Sequence, residues 1–262
     1  MIHIFLSPHI DDAIGSSGGM MAKYAAYQQP VHILNIFSGH ASPPFSDFAK
    51  KLHRLWGNPM NVTQTRRAEE AAATKRINAV VHFGDALDAI YRKDHAGKWF
   101  YPWEQELFES PNEQDNNDQI RECLNRLKSI SCIGDCRIYA PLGIGNHVDH
   151  QIVFNCGLEL IKQGYSVFFY EDFPYARNDS TYQERICKLA GWTSYDVEIG
   201  ENDLHAKIAA YSRYHSQIKF LFSNEIEMIF AVKKFAQTQA GHNMKFGEKL
   251  WSPRKANETV ME

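Results

Sequence analysis

No stretch of the 262-residue chain is apolar over the roughly 20 residues that a membrane-crossing helix needs, so the sequence predicts no transmembrane segment. An excess of one charge is missing too. With 28 Lys and Arg against 31 Asp and Glu, the net charge is -3, which offers no basic face to nucleic acid. There is no internal repeat and no low-complexity tract, which excludes solenoids and arrays. Cysteine is sparse. The 5 residues Cys123, Cys132, Cys136, Cys156 and Cys187 are odd in number and scattered, which suits reduced thiols rather than a disulfide framework. Cys132 and Cys136 have no second pair to complete a metal or redox site. No basic leader or cleavage site precedes MIHIFL, and with the thiols this predicts a cytoplasmic chain. The 44% hydrophobic and 23% charged content is that of an ordinary globular core, and the length suits one domain over residues 1–262.

What is present alternates. Apolar runs Ile2–Leu6, Val31–Phe37, Ala79–Phe83, Arg137–Pro141 and Tyr165–Tyr170 read as buried strands. Between them Gly18–Tyr27, the Ala- and Glu-rich run opening at Thr63, Asp118–Ser129 and Asp149–Lys162 read as helices. Residues 40–60 read as a long loop around a short helical piece, and 84–117 as a polar, aromatic stretch ending in the turn-rich SPNEQDNND. Further on, Val197–Ile199 reads as a strand and Leu204–Phe222 as one long helix, while the tail after Gly241 shows no period. Strand–helix alternation predicts an α/β, Rossmann-like layered fold with a mostly parallel sheet flanked by helices. Its site should lie beyond the carboxyl ends of the strands.

Two short clusters of metal-ligand residue types fall at such ends. HIDDA carries His9, Asp11 and Asp12 after the first strand, and HVDH carries His147, Asp149 and His150 after the fourth. Either cluster alone also fits a helix cap, since Asp favours the first turn. Together they fit a catalytic metal centre of three protein ligands, with His9, Asp12 and one histidine of the second cluster as the set. A dication between them would relieve the repulsion of adjacent carboxylates and leave Asp11 free as a general base.

The same residues carry a resemblance. SPHIDDA, the RRAEE run of the helix after Thr63, and HVDH resemble the PIG-L (LmbE-like) family of zinc-dependent N-deacetylases. Phe37-Ser38-Gly39, His53-x-x-Trp56-Gly57, Leu87–Arg92 and Tyr170–Tyr175 follow in the family's order, so that the likeness spans residues 2–222 and leaves 223–262 as an extension. The resemblance implies a hydrolase that removes an N-acetyl group from a GlcNAc-type sugar or glycoconjugate, with zinc or another divalent transition metal as cofactor. It implies His9, Asp12 and His150 as metal ligands, Asp11 as general base, His147 in protonated form as oxyanion or leaving-group partner, and Asp149 as the carboxylate that orients a histidine. It further implies Arg66, with Glu69, and Asp88 as substrate contacts, with Arg67 and Glu70 as the one-residue alternative.

Two departures stand out. Ala13 replaces the family's Glu after the paired Asp, and Gly145 stands where some members carry a tyrosine, a role left to His147 alone or to another aromatic such as Tyr91 or Tyr175. Trp99–Trp103 would suit a wall against a sugar ring, and Arg92 with Lys93 either meets an anionic group of the substrate or forms a solvated pair. Competing readings are a metal hydrolase of another amide or ester, and a non-catalytic sugar-binding relative. The intact set of Asp and His residues counts against the latter.

Overall fold

The computed structural model describes residues 1–57, 61–130 and 136–253, which leaves Cys132 outside the described residues. The first half runs β1 (Ile2–Ser7), α1 (Asp12–Ala26), β2 (Val31–Asn35), α2 (Asp47–Leu55), α3 (Val62–Thr74), β3 (Val80–Phe83) and α4 (Glu113–Ile130). The second half runs β4 (Cys136–Pro141), α5 (Val148–Lys162), β5 (Ser166–Tyr170), α6 (Asp179–Ile186), β6 (Trp192–Glu198), α7 (Glu201–Tyr211), α8 (His215–Leu221), α9 (Glu225–Thr238) and β7 (Gly247–Pro253). The strands form one sheet in the order β3-β2-β1-β4-β5-β7-β6, parallel from β3 through β5. The chain winds outward from β1 in one direction and from β4 in the other. The crevice between those two carboxyl ends is where an open α/β sheet places its ligands. The register pairs Phe5 with Tyr139, so that residues 134 positions apart leave the sheet side by side.

A large apolar core lies along the sheet, built on Phe5, Leu6, Ile33, Leu34, Tyr139 and Phe169. A second, smaller core of Phe48, Ala49, Ala89, Ile90, Tyr101, Leu107 and Val148 lies under the loops at the carboxyl edge. It gathers α2 and the 84–117 stretch over the start of α5. Among the described residues no helix is long and apolar enough to cross a membrane.

Several elements differ from the sequence reading, each for a local reason. The first helix begins at Asp12 rather than Gly18 and breaks at Ser17, whose φ of -127° is not helical. The break exposes Gly19 and Met20 N–H groups, and both donate to the buried Glu248 carboxylate of β7 at 3.0 and 2.7 Å. Lys207 of α7 pairs with Glu248 at 2.7 Å and donates to the Ser16 carbonyl at 3.0 Å. One buried ion pair thus satisfies both halves of a broken helix. The fourth helix starts at Glu113, before Asp118, because the Asn112 side chain accepts from the Gln114 and Asp115 N–H groups and caps it. The run Leu204–Phe222 is two helices. They separate at Tyr214, whose buried hydroxyl donates to Glu70 of α3.

Residues 247–253 of the aperiodic tail form β7, which pairs antiparallel with β6 along its whole length and with β5 at Phe169 and Tyr170. An interior strand that buries a glutamate on one face and packs Leu250 into the core has no simple apolar alternation to read.

Removing Lys207 would leave Glu248 buried and uncompensated. Lys207→Ala should therefore lower unfolding stability by about 3–5 kcal/mol in urea denaturation. A loss below about 1 kcal/mol would mean that packing alone holds the broken α1.

Candidate metal centre

The β1–α1 turn is built tightly. Ser7 Oγ donates to the His9 carbonyl at 2.6 Å and accepts the Ala13 N–H at 3.0 Å. Asp11 sits in the left-handed region with φ 115°, a conformation that Asp and Asn tolerate better than other side chains. The facing β4–α5 loop turns through left-handed Gly143, Gly145 and Asn146 before His147 caps α5. There the His147 Nδ1 accepts the Asp149 N–H at 3.2 Å.

These turns bring His9, Asp12 and His150 together, with their ligand atoms within 4.8 Å of one another. Asp12 Oδ2 lies 3.4 Å from His9 Nδ1 and 3.2 Å from His150 Nε2, and it accepts the His9 N–H at 2.8 Å. Each imidazole is held on its far side by a buried carboxylate. His9 Nε2 meets Asp149 at 2.8 Å, and His150 Nδ1 meets Asp172 at 2.7 Å. A carboxylate there takes the ring N–H and leaves the other nitrogen's lone pair facing Asp12. His150 Nε2 is buried and has no hydrogen-bond partner. Lone pairs converging on a carboxylate oxygen are unfavourable unless a cation lies among them, so these donors fit a divalent metal. A second cluster, His9, His147 and Asp149, meets the same distance test. Its carboxylate is already engaged, however: Asp149 takes Arg92 at 2.6 Å, the Ala89 N–H at 3.1 Å and His9.

The protonation pattern follows from these neighbours. Burial pulls His150 down, but Asp12 and Asp172 outweigh it and raise the group to about 10. For His9, burial is likewise outweighed by Asp88, Asp12 and Asp149, and its pKa stands well above the usual histidine value. Without a metal, protons hold the place of a cation, and a metal would displace them. Burial first, and then adjacent Asp12, push Asp11 up to about 8. Arg66 opposes that shift, donating to Asp11 Oδ1 at 3.3 Å and to the Ile10 carbonyl at 2.9 Å. His147 differs from the sequence expectation of a protonated ring. Burial, with His9 and His150 beside it, pushes it down to about 3. It is a neutral imidazole, and because Nδ1 accepts a backbone N–H its proton sits on Nε2.

His9, Asp11, Asp12, Arg66, Asp88 and His147 line one cleft, while Asp149 and His150 lie buried beneath it. Arg67 points away and donates to the Ser38 and Gly84 carbonyls, so Arg66 is the arginine that reaches the cleft. Glu69 and Glu70 are engaged elsewhere, with Ser216 and with Asn35 and Tyr214. Asp88 lies 3.7 Å from His9 and caps the short turn Ala89–Tyr91. Tyr175, not Tyr91, fills the space at Gly145: a Cβ there would come within 2.8 Å of its ring. Tyr91 instead hydrogen-bonds His53.

Other expectations are corrected. Nothing from Trp99–Trp103 lines the cleft: Tyr101 is buried on Asp115, Lys93 stacks on Trp99, and Trp103 faces solvent. Arg92 is neither solvated nor in the cleft. It is buried between Asp115 at 2.9 Å and Asp149 at 2.6 Å. Sequence reasoning gave no individual role to Asp172, Phe108 or Phe220, counted Trp56 only within a family motif, and set Arg92 on the substrate or in solvent rather than behind Asp149. Asp172 had a signal, a carboxylate just past a strand end. Arg92 had none, because its partners are distant in sequence.

A carboxyl group raised above its unfolded value costs stability once the pH passes that lower value, and the cost grows up to the folded pKa. In chelator-treated protein, Asp11→Asn should therefore raise Tm most near pH 8, with the gain vanishing towards pH 4 in scanning calorimetry. A gain independent of pH would locate the strain in the backbone instead.

Comparison with known proteins places this geometry. The PIG-L, GlcNAc-PI de-N-acetylase, family model matches residues 4–161. The chain is 27% identical over 239 residues to a 2'-N-acetylparomamine deacetylase of Niallia circulans, covering 86% of this chain and 83% of that one. It is 30% identical over 192 residues to a 2'-N-acetylparomamine deacetylase of Streptomyces fradiae, covering 71% and 62%. Among solved structures it is similar to the zinc-inhibited form of teicoplanin deacetylase Orf2, with TM-score 0.82, 26% identity and coverage of 96% and 97%. With the family model matching more than half of the chain, the protein belongs to the PIG-L, GlcNAc-PI de-N-acetylase, family.

Proposed function

We propose that the protein is a zinc-dependent deacetylase that hydrolyses the N-acetyl group of a GlcNAc-type sugar in a small glycoconjugate, releasing acetate. The observation that carries this reading is the convergence of His9 Nδ1, Asp12 Oδ2 and the buried His150 Nε2, which has no hydrogen-bond partner, beside a buried Asp11 held by Arg66. His9, Asp12 and His150 would hold the metal, which when bound supplies a Lewis acid to polarise the acetyl carbonyl and acidify water. Deacetylation is also the activity named for the relatives at 27% and 30% identity.

Asp11 takes the proton of the attacking water. Its raised pKa suits it to pass that proton on to the departing amine. Arg66 orients Asp11 and limits that rise, and the positive charge of a metal held at Asp12 would lower it further, towards a base at neutral pH. His147 donates its Nε2–H to the oxygen on which charge develops, as a neutral donor that needs no ionisation. Asp149 and Asp172 fix the rings of His9 and His150, and Arg92 fixes Asp149 in turn. Asp88, at the cleft wall with its outer oxygen free of backbone contacts, is placed to accept a sugar hydroxyl.

Metal analysis and acetate release on one set of proteins test this. Wild type should carry about one zinc per chain and release acetate from an N-acetylglucosaminide. Asp11→Ala should keep the metal and lose about 10²–10⁴-fold in kcat. His150→Ala should lose the metal. Asp172→Asn should weaken metal affinity by about 10–100-fold, read by competition with a chelator. Zinc in wild type without acetate from any N-acetyl sugar would overturn the substrate assignment and leave the metal centre standing.

A further inference from the structure

Above its polar floor the cleft changes character. Its outer wall is formed by Phe48 and Leu52 of α2, Trp56 just after that helix, Phe108 of the 84–117 stretch, and Phe220 and Leu221 of α8. Elements far apart in the chain converge here. The wall also begins directly at the proposed chemistry. The Phe108 ring meets His147 edge-on with centroids 5.6 Å apart, the Arg66 guanidinium lies 5.6 Å from the centre of the Trp56 ring, and Trp56 meets Phe220 edge-on at 6.4 Å. Phe108 and Phe220 remain 44% and 45% exposed, an outlay of apolar surface at a site mouth that folding alone does not account for. The one carboxylate among the outer residues, Glu104, already faces Lys51 at 3.4 Å.

The wall lies outside the polar floor and opens to solvent, beyond the residues that would hold an acetamido group. The acyl group of the reaction is a short acetyl held at the floor, so it cannot fill a wall drawn from three segments. We propose that this wall is an aglycone subsite, and that the substrate is an N-acetylhexosaminide with an apolar aryl or alkyl aglycone. The inference rests on the deacetylase reading above and specifies its substrate class. It also sets this chain apart from the 2'-N-acetylparomamine deacetylases to which it is similar, because a polycationic aglycone would need carboxylates where this wall offers rings.

The test compares kcat/KM for acetate release by the zinc-loaded wild type from N-acetylglucosamine, its 4-nitrophenyl and octyl glycosides, and N-acetylparomamine. The aryl and octyl glycosides should exceed the free sugar by about tenfold or more. Phe220→Ala and Phe108→Ala should each shrink that ratio, and Phe220→Leu should restore most of it. Phenyl glucoside, which has no acetyl group, should bind the wild type more tightly than methyl glucoside in calorimetry, and Phe220→Ala should erase the difference.

Equal kcat/KM for free and aryl sugars, or a preference for N-acetylparomamine, would overturn the proposal. So would faster cleavage of N-octanoyl than N-acetyl sugars, which would make the wall an acyl site. Should no sugar release acetate, the deacetylase reading fails on its own account. The phenyl against methyl glucoside comparison then still decides the wall: tighter phenyl binding supports an apolar subsite, and equal binding overturns it.

Discussion

The structure depends on one electrostatic constraint. Asp11, Asp12, Asp149 and Asp172 are crowded at the carboxyl end of a parallel sheet, out of bulk water. Carboxylates so placed are tolerated only when each is paired, hydrogen-bonded or protonated. Arg92 answers Asp149, Arg66 answers Asp11, and the His9 and His150 rings lie between carboxylates that raise their proton affinity. One point is compensated only by a proton: His150 Nε2 faces Asp12 Oδ2 at 3.2 Å, and Asp12 raises the proton affinity of that ring. A dication could take the place of that proton, which is why these donors fit a metal. The same pairing explains why the adjacent aspartates differ: Asp12 is held well below the ordinary carboxylate range by His150 and His9 despite its burial, while Asp11 is pushed above it.

The rest of the fold holds this charge arrangement in place. Helix α1 begins at Asp12, so any slack in it would reach the metal-facing carboxylate. Its break at Ser17 is repaired by the Lys207–Glu248 pair, which ties α1 to α7 and β7. The smaller core under α2 and the 84–117 stretch performs the corresponding task at the rim. Arg92 joins the two levels: it lies in the rim loop, stacks over Phe37, and reaches Asp149 beneath His9. One residue thus links the rim of the cleft to its floor.

How far the sequence could be read depended on where each residue's partners lay. His9 and Asp12 are three positions apart on one turn, and their convergence with the His147–His150 cluster follows from a rule about strand ends. Arg92 invited a surface reading because Asp115 and Asp149 lie 23 and 57 positions further on, and nothing near it marks it as buried. WFYPW looked like a sugar wall by composition, yet Tyr101 is spent on Asp115 and Trp99 on Lys93, while the wall joins Trp56 of the His53-x-x-Trp56-Gly57 motif to Phe108 and Phe220, which lie in no motif. β7 was hidden because an interior strand carrying Glu248 breaks the alternation on which strand recognition rests.

The sequence by itself determined the layer order, the parallel sheet, the strand-end position of both clusters and the family. All of these are written in local periodicity and short motifs, whose physics acts within a few residues. Only the tertiary structure decided which histidine nitrogen faces Asp12, that His147 is neutral, that Asp172 and Arg92 stand behind the ligands, and that the cleft mouth is aromatic. Those properties arise from burial and from contacts between residues tens to more than a hundred positions apart. Desolvation and long-range pairing have no counterpart in the pattern of neighbouring residues.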